Sequence, residues 1–370
     1  MKKYFIIVAL INLFVGCNQS KKRTEEYNLT PSSVFTQTRL DTIKKYCSGL
    51  PENTEFAFTI IQNDSVYHFG IKKTNGIYNQ IENSKSIFEI GSITKAFTGL
   101  LLVDAENQGL LNIKDLIQNF FDNKLRQSSL NDTAITILNL AHHNSGLPRE
   151  TEYTMKMLRE SPYDSWSGFD SIEFLKFLEN EMNLSSTPGV KWEYSNIGYG
   201  LLTNIILKQS GRGFERLLQE RICARYDLNY TTSDTNKIKE IEVIGLKPNG
   251  QDAPHWDSGK LLGASGVLSN SVDMTVFAKA CMNDDSLFVS QAKQLFYVND
   301  IYSVSLGWAV QYYQGETYYV ANGGTPGYMA TITINPNKNN AVIILSNVSC
   351  YHEKMLGMIG LNSQLMLTIE

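Results

Sequence analysis

The sequence predicts an α/β fold of the α+β type with two lobes: an antiparallel sheet flanked by helices, built from both chain ends, and a mostly helical lobe inserted at about residues 110–260. Three observations predict it. Strand-like runs occur before Ile90 and again after Leu306. Between them apolar residues recur at three- and four-residue spacing, the helical period, rather than alternating. No internal repeat, low-complexity block or linker divides the 370 residues, so the two groups of strands belong to one sheet.

Taken in order, Lys2 and Lys3 precede an almost unbroken apolar run from Tyr4 to Val15. About a dozen apolar residues fall short of the ~20 that span a bilayer, so residues 1–16 read as a secretory signal peptide. The run ends Leu13-Phe14-Val15-Gly16-Cys17, and a small residue before a cysteine resembles a bacterial lipoprotein processing site. Phe14 departs from it, because leucine is commoner there. The implied mature N-terminus is a lipid-modified Cys17 anchoring an exported protein to a membrane of the bacterial cell envelope. The alternative is an ordinary cleaved signal with an incidental cysteine. Residues 17–37 are polar, with Pro31-Ser32-Ser33, and suit a tether. The folded domain is then expected over 38–370.

Leu40, Ile43 and Cys47 mark a first helix. Phe56–Ile61 and Ser65–Gly70 read as strands joined by a turn at Asn63-Asp64, a hairpin. Ser86–Ile90 is a short third strand leading to Gly91. From there Ile93, Ala96, Phe97, Leu100, Leu101 and Ala105 outline a helix that stops near Gly109. Within the inserted lobe, helices are expected after Thr136, over Ser171–Leu178 and after Asn196. After about Ser265 the chain returns to strands, chiefly Leu306–Tyr313, Tyr318–Ala321, Tyr328–Asn335 and Ala341–Ser346, with a turn at Pro336–Asn339.

Composition excludes several function classes. Lys+Arg 33 against Asp+Glu 37 gives a net charge of -4, and no basic block follows the first two dozen residues, so no nucleic-acid partner is expected. Cys47, Cys223, Cys281 and Cys350 are scattered, without a Cys-x-x-Cys pair or a His/Cys cluster, so no metal site is expected. His142-His143 point in different directions if helical and lack acidic partners. Neither a Gly-x-x-x-x-Gly-Lys-Ser/Thr nor a Gly-x-Gly-x-x-Gly occurs, so no nucleotide cofactor is implied. No Gly-x-Ser-x-Gly elbow occurs either.

The chemistry-bearing stretch is Glu89-Ile90-Gly91-Ser92-Ile93-Thr94-Lys95. Ser92 falls in the first turn of a helix and Lys95 one turn later on the same face, beside the unpaired amides of the helix N-terminus. A lone Ser-x-x-Lys arises by chance, and Ser290-Gln291-Ala292-Lys293, followed by Tyr297-Val298-Asn299, is a second match. That copy lacks a glycine turn before it and a long apolar face after it, and reads as a surface helix. The first copy has partners on other elements. Tyr194-Ser195-Asn196 lies in a loop before a helix, and Asn322-Gly323-Gly324-Thr325-Pro326-Gly327 ends a strand with glycines that let a ligand approach the backbone. The segment Glu150–Asp170 reads as a loop over the site, with Trp166 as a candidate pocket wall or, alternatively, a packing aromatic.

On these motifs the chain resembles the serine β-lactamase-related family, the penicillin-recognising serine hydrolases that include class C β-lactamases, D-alanyl-D-alanine carboxypeptidases and esterase relatives. Ser-x-x-Lys and Tyr-x-Asn occur intact, and the third motif, Lys/His-x-Gly, in altered form. Flanking stretches agree: Phe88-Glu89-Ile90-Gly91, His143-Asn144-Ser145-Gly146-Leu147-Pro148, Gly266-Val267-Leu268-Ser269 and Leu306-Gly307-Trp308. The resemblance covers roughly Thr54 to Ser346. It implies a β-lactamase-like fold and a catalytic Ser92 that attacks an ester, amide or lactam carbonyl through an acyl-enzyme, with no metal or organic cofactor. A serine hydroxyl needs a base, and Lys95 and Tyr194 are the candidates, with coupled titrations that leave the choice open. Asn196 suits a hydrogen bond to Lys95 or to a substrate carbonyl. By the resemblance, the amides of Ser92 and Gly324, beside Gly323, form the oxyanion hole.

One departure matters. Ala321 stands where the family carries lysine or histidine, a cation that helps hold a substrate carboxylate. Lys191, His143 and His255 are the candidate replacements. The expected function is a lipid-anchored serine hydrolase acting as an esterase, D-Ala-D-Ala peptidase or β-lactamase. The alternative is a non-catalytic or weakly acylating sensor of the same fold.

Overall fold

A computed structural model describes residues 25–238, 240–283 and 286–369. Cys17 and the signal segment lie outside them. The main sheet has ten strands, in the spatial order Glu26–Asn28, Ile77–Ile81, Ser65–Thr74, Glu55–Gln62, Asn340–Ser346, Tyr328–Asn335, Glu316–Thr325, Ala309–Tyr313, Tyr302–Val304 and Phe296–Asn299. All neighbours are antiparallel except the first pair. The join between the two chain ends is the ladder from Ala341↔Ile61 to Ser346↔Phe56, as the sequence predicts.

Period-two alternation divides the sheet residues between two layers. Phe56, Phe58, Ile60, Val342 and Ile344 face the helices Gln37–Cys47 and Met355–Leu367. Ala57, Ile61, Ile343 and Leu345 face the opposite cluster, which includes Phe97, Leu100 and Leu101 of helix Thr94–Asn107. With helices covering both faces, the central strands are buried throughout, which explains their continuous rather than alternating apolar sequence. The hairpin turn follows its chemistry: Asn63 and Asp64 adopt φ 51° and 65°, the left-handed region those residues tolerate.

The structure departs from expectation in four places, the first being the helix Glu152–Glu160 within the segment Glu150–Asp170 read as a loop. The tether drawn over 17–37 is folded from Glu25 onward: Glu26–Asn28 adds an edge strand, Tyr27 stacks on Tyr78 at 4.9 Å and Phe35 on Phe69 at 4.7 Å. Phe88–Glu89 pairs with Leu268–Ser269 in a separate two-stranded sheet, and the third strand of the hairpin layer is Ile77–Ile81. Beyond the short strand Leu268–Ser269, the return to the main sheet begins only at Phe296, after helices Ser271–Met282 and Ser286–Lys293. The first of these helices is buried on most sides, so no single apolar stripe betrays it.

Strand Glu316–Thr325 positions the site. It pairs with Ala309–Tyr313 only as far as Val320, so among the described residues its outer edge from Ala321 to Thr325 carries no partner strand. The turn holding Ser92 packs against that free edge.

Candidate active site

Gly91, at φ +50°, turns the chain from strand Phe88–Glu89 into a 3-10 turn, Gly91–Ile93, that runs into the helix Thr94–Asn107. The turn fits only because two glycines face each other. A Cβ on Gly91 would sit 2.6 Å from the Gly324 amide nitrogen. A Cβ on Gly323 would sit 2.8 Å from the Ser92 nitrogen and run into the Ile90 carbonyl oxygen. This close approach brings the Ser92 and Gly324 amide nitrogens to neighbouring positions on the turn and the strand edge.

Ser92 Oγ lies between two titratable groups. Tyr194 Oη is 2.9 Å from it and Lys95 Nζ 3.2 Å. Lys95 Nζ also donates to Asn196 Oδ1 at 2.8 Å and to the Ala264 carbonyl at 2.9 Å. Two of its three free tetrahedral positions therefore face oxygens that only accept. An ammonium can donate to all three oxygens, whereas a neutral amine needs only two hydrogens for Asn196 and Ala264 and leaves its lone pair facing Ser92 Oγ. Asn196 is fixed in turn, because its Nδ2 donates to Glu150 Oε1 at 2.7 Å. Glu150 Oε2 accepts from Thr154 Oγ1 at 3.1 Å.

Burial and charge shift both titratable groups. Lys95 is 2% exposed, and burial holds its pKa below the usual lysine value despite the nearby phenol. Burial alone would push the Tyr194 phenol up; the Lys95 cation and the Arg149 guanidinium pull harder, and its pKa falls below the ordinary value. Lys95 Nζ lies 4.8 Å and Arg149 Cζ 4.9 Å from the Tyr194 ring centre. Burial raises the pKa of Glu150.

Local sequence explains the second wall. Ser195 caps helix Asn196–Ser210, accepting from the Gly198 amide at 2.9 Å while donating to the Pro148 carbonyl at 2.6 Å. The buried His143 packs 4.3 Å from the Tyr194 ring and accepts the Ser195 amide on Nδ1 at 3.0 Å. Burial keeps it well below the usual histidine pKa, hence neutral. The His-Asn-Ser-Gly-Leu-Pro stretch is therefore the frame on which Tyr194 and Asn196 are mounted.

Comparisons with known proteins agree with this geometry. The Beta-lactamase family model matches residues 57–355. This chain belongs to the beta-lactamase family. A putative D-alanyl-D-alanine carboxypeptidase of Escherichia coli O157:H7 is 25% identical over 309 residues, covering 71% of this chain and 69% of the relative. The D-alanyl-D-alanine-carboxypeptidase/endopeptidase AmpH of Escherichia coli (strain K12) is 27% identical over 54% of this chain, and the chain spans about half of its length. A beta-lactamase of Providencia stuartii is 23% identical over 79% of the chain and 81% of the relative. In fold, the octameric penicillin-binding protein homologue from Pyrococcus abyssi superposes with TM-score 0.71 at 23% identity, covering 89% of this chain and 77% of that one.

In this beta-lactamase-family chain the structure gathers Ser92, Lys95, Tyr194, Asn196, Gly323 and Gly324 into one cleft. Trp166 is buried in the main core cluster, its ring 5.0 Å from that of Trp256. The duplicate motif is a helix whose Ser290 hydroxyl is spent on the Ser286 carbonyl. Its Gln291, however, is wholly buried, donating to the Ala96 and Leu306 carbonyls behind the nucleophile helix. The three candidate replacements for a cation at Ala321 are all engaged. Lys191 pairs with Glu193 at 2.8 Å, His143 is neutral, and His255 is clamped by Glu242 at 2.7 Å and Glu89 at 3.3 Å. Those two carboxylates raise His255 to about 10. Among the described residues no group of three or more His, Cys, Asp or Glu side chains could hold a metal ion. Sequence reading missed Arg149 and Glu150 as parts of the site; two adjacent opposite charges directly after the Gly-Leu-Pro turn were the available signal.

Proposed function

We propose that this protein is a serine hydrolase working through an acyl-enzyme on an ester, amide or lactam carbonyl, exported and anchored to the cell-envelope membrane by a lipid on Cys17. The single observation carrying the catalytic reading is the placement of Ser92 Oγ between Tyr194 Oη and Lys95 Nζ. Ser92 Oγ attacks the carbonyl carbon and its proton passes to the Lys95–Tyr194 pair. The oxyanion is held by the Ser92 and Gly324 amides. Collapse breaks the bond to the alcohol or amine, which leaves with that proton. Water then gives its proton to the same pair as it adds to the acyl carbon; collapse breaks the bond to Ser92 Oγ, which takes that proton back as the acid departs.

The test uses purified residues 18–370 with a fluorophosphonate probe, a fluorescent penicillin and a nitrophenyl ester, beside Ser92→Ala. Labelling and turnover that vanish in Ser92→Ala are expected. No labelling and no turnover by the intact protein would sink the enzyme reading. A second reading rests on Ala321, which removes a substrate-holding cation: a sensor acylated once, recognised by labelling without turnover. Anchoring is tested separately: the full chain expressed in a bacterium takes up labelled palmitate and partitions into detergent, and Cys17→Ala does neither. Uptake by Cys17→Ala would refute the anchor.

A further inference from the structure

We infer that Arg149 is an anion-recognition residue of this site, so that the preferred acyl substrates carry a negatively charged group near the scissile carbonyl. The inference rests on the serine-hydrolase reading above and names a substrate class for it.

Arg149 is fixed at the backbone and free at the tip. Its carbonyl accepts the Asn196 amide at 2.9 Å and the Ile197 amide at 3.4 Å, tying it to the start of the helix that carries Asn196. Its side chain is exposed, with the guanidinium carbon 4.9 Å from the centre of the Tyr194 ring, whose hydroxyl reaches Ser92. A guanidinium resting on an aromatic face keeps its five N–H donors directed outward. Among the described residues Arg149 makes no ion pair and no side-chain hydrogen bond.

The other cations near the nucleophile are committed elsewhere. Lys95 faces three oxygens, Lys191 is paired with Glu193, and His255 is held between two carboxylates. The opposite wall, Ala321 to Gly324, carries no charge. Cys350 packs against Gly324, since a Cβ on Gly324 would lie 2.7 Å from the Cys350 Cβ; burial pushes its thiol up to about 12, and the Arg149 charge offsets part of that rise. The field of this guanidinium therefore reaches from Tyr194 across the place where a bound carbonyl sits. An unpaired planar donor there suits a carboxylate, bound by two parallel hydrogen bonds.

The experiment uses the full chain in detergent and two ester pairs. One pair differs by a carboxylate at the end of the acyl chain, mono-nitrophenyl glutarate against nitrophenyl valerate. The other differs by a carboxylate on the leaving group, carboxy-nitrophenyl acetate against nitrophenyl acetate. A charge-assisted contact predicts that Arg149→Gln lowers the carboxylate-to-neutral ratio of kcat/KM by about 10- to 100-fold in at least one pair. Arg149→Lys keeps part of that ratio, and added salt weakens it. In parallel, glutarate slows fluorophosphonate labelling of the wild type but not of Arg149→Gln. A loss shared equally by charged and neutral esters, or a ratio unchanged in both pairs, would overturn the inference while leaving the hydrolase reading intact. Absence of turnover and of labelling in the wild type overturns both.

Discussion

Substituting Gly323 by alanine tests whether the strand edge and the Ser92 turn form one device. The added Cβ collides with the Ile90 carbonyl oxygen and lies 2.8 Å from the Ser92 nitrogen, so strand and turn must separate. Neither is free to yield, because Gly323 is paired with Ala330 in the ladder and Ile90 is held by the Val267 carbonyl at 3.1 Å. Overpacking of this kind costs about 1–3 kcal/mol of stability. The larger effect is on rate. Oxyanion donors act at 2.7–3.1 Å, and loss of one typically costs ~10²–10³ in kcat. The assay is kcat/KM on a nitrophenyl ester, with thermal unfolding followed by circular dichroism. Gly213→Ala is the control, since a Cβ there meets nothing within 4 Å. The expected result is a folded variant with a lowered Tm and kcat reduced at least about a hundredfold. A folded Gly323→Ala within threefold of wild type would refute the assignment of these amides.

Four further outcomes are expected. Tyr194→Phe removes the phenol 2.9 Å from Ser92 Oγ and lowers kcat by about 10²–10⁴, measured on the same ester; an unchanged rate would assign the proton transfer to Lys95 alone. Glu150→Ala frees the Asn196 amide to rotate and lowers kcat, whereas Glu150→Gln retains an acceptor and moves the acidic limb of the pH–rate profile down, because Lys95 loses an anion that favours its charged form. Identical profiles for Glu150→Gln and wild type would count against that coupling. Lys95 and Tyr194 both have folded-state pKa values below their ordinary 10.5 and 10.0, so the unfolded chain binds more protons in that window and their contribution to stability rises with pH. The Tm of the wild type relative to Lys95→Met/Tyr194→Phe should therefore climb from neutral towards alkaline pH, and a flat difference would contradict the shifts. Finally, Ala321→Lys raises reaction with carboxylate esters relative to neutral ones; an unchanged ratio would argue against the placement of the third motif.

The candidate site was legible because its members are spelled by residue type. Ser92, Lys95, Tyr194 and Asn196 each supply a side chain the chemistry needs, and Gly323-Gly324 announces a close backbone approach. The central ladder was legible for the same reason: Phe56–Ile61 and Ala341–Ser346 are apolar on both faces, as buried strands must be. What stayed hidden was set by contact rather than pattern. Glu150 and Arg149 look like a solvated pair, and only the fold shows one aimed at Asn196 and the other laid on Tyr194. Gln291 was masked by a misleading motif, since its role is to satisfy carbonyls on two distant segments. Residues 25–35 read as polar linker because the stacking of Tyr27 and Phe35 depends on rings far along the chain.

The ladder that joins Ile61 to Ala341 has a temporal consequence. Its two strands are made at opposite ends of synthesis, so the sheet, and with it the edge that completes the Ser92 corner, cannot close until almost the whole polypeptide exists. Pairings so distant in sequence form slowly. Until its last segment is made, the chain lacks the completed sheet edge against which the Ser92 turn packs.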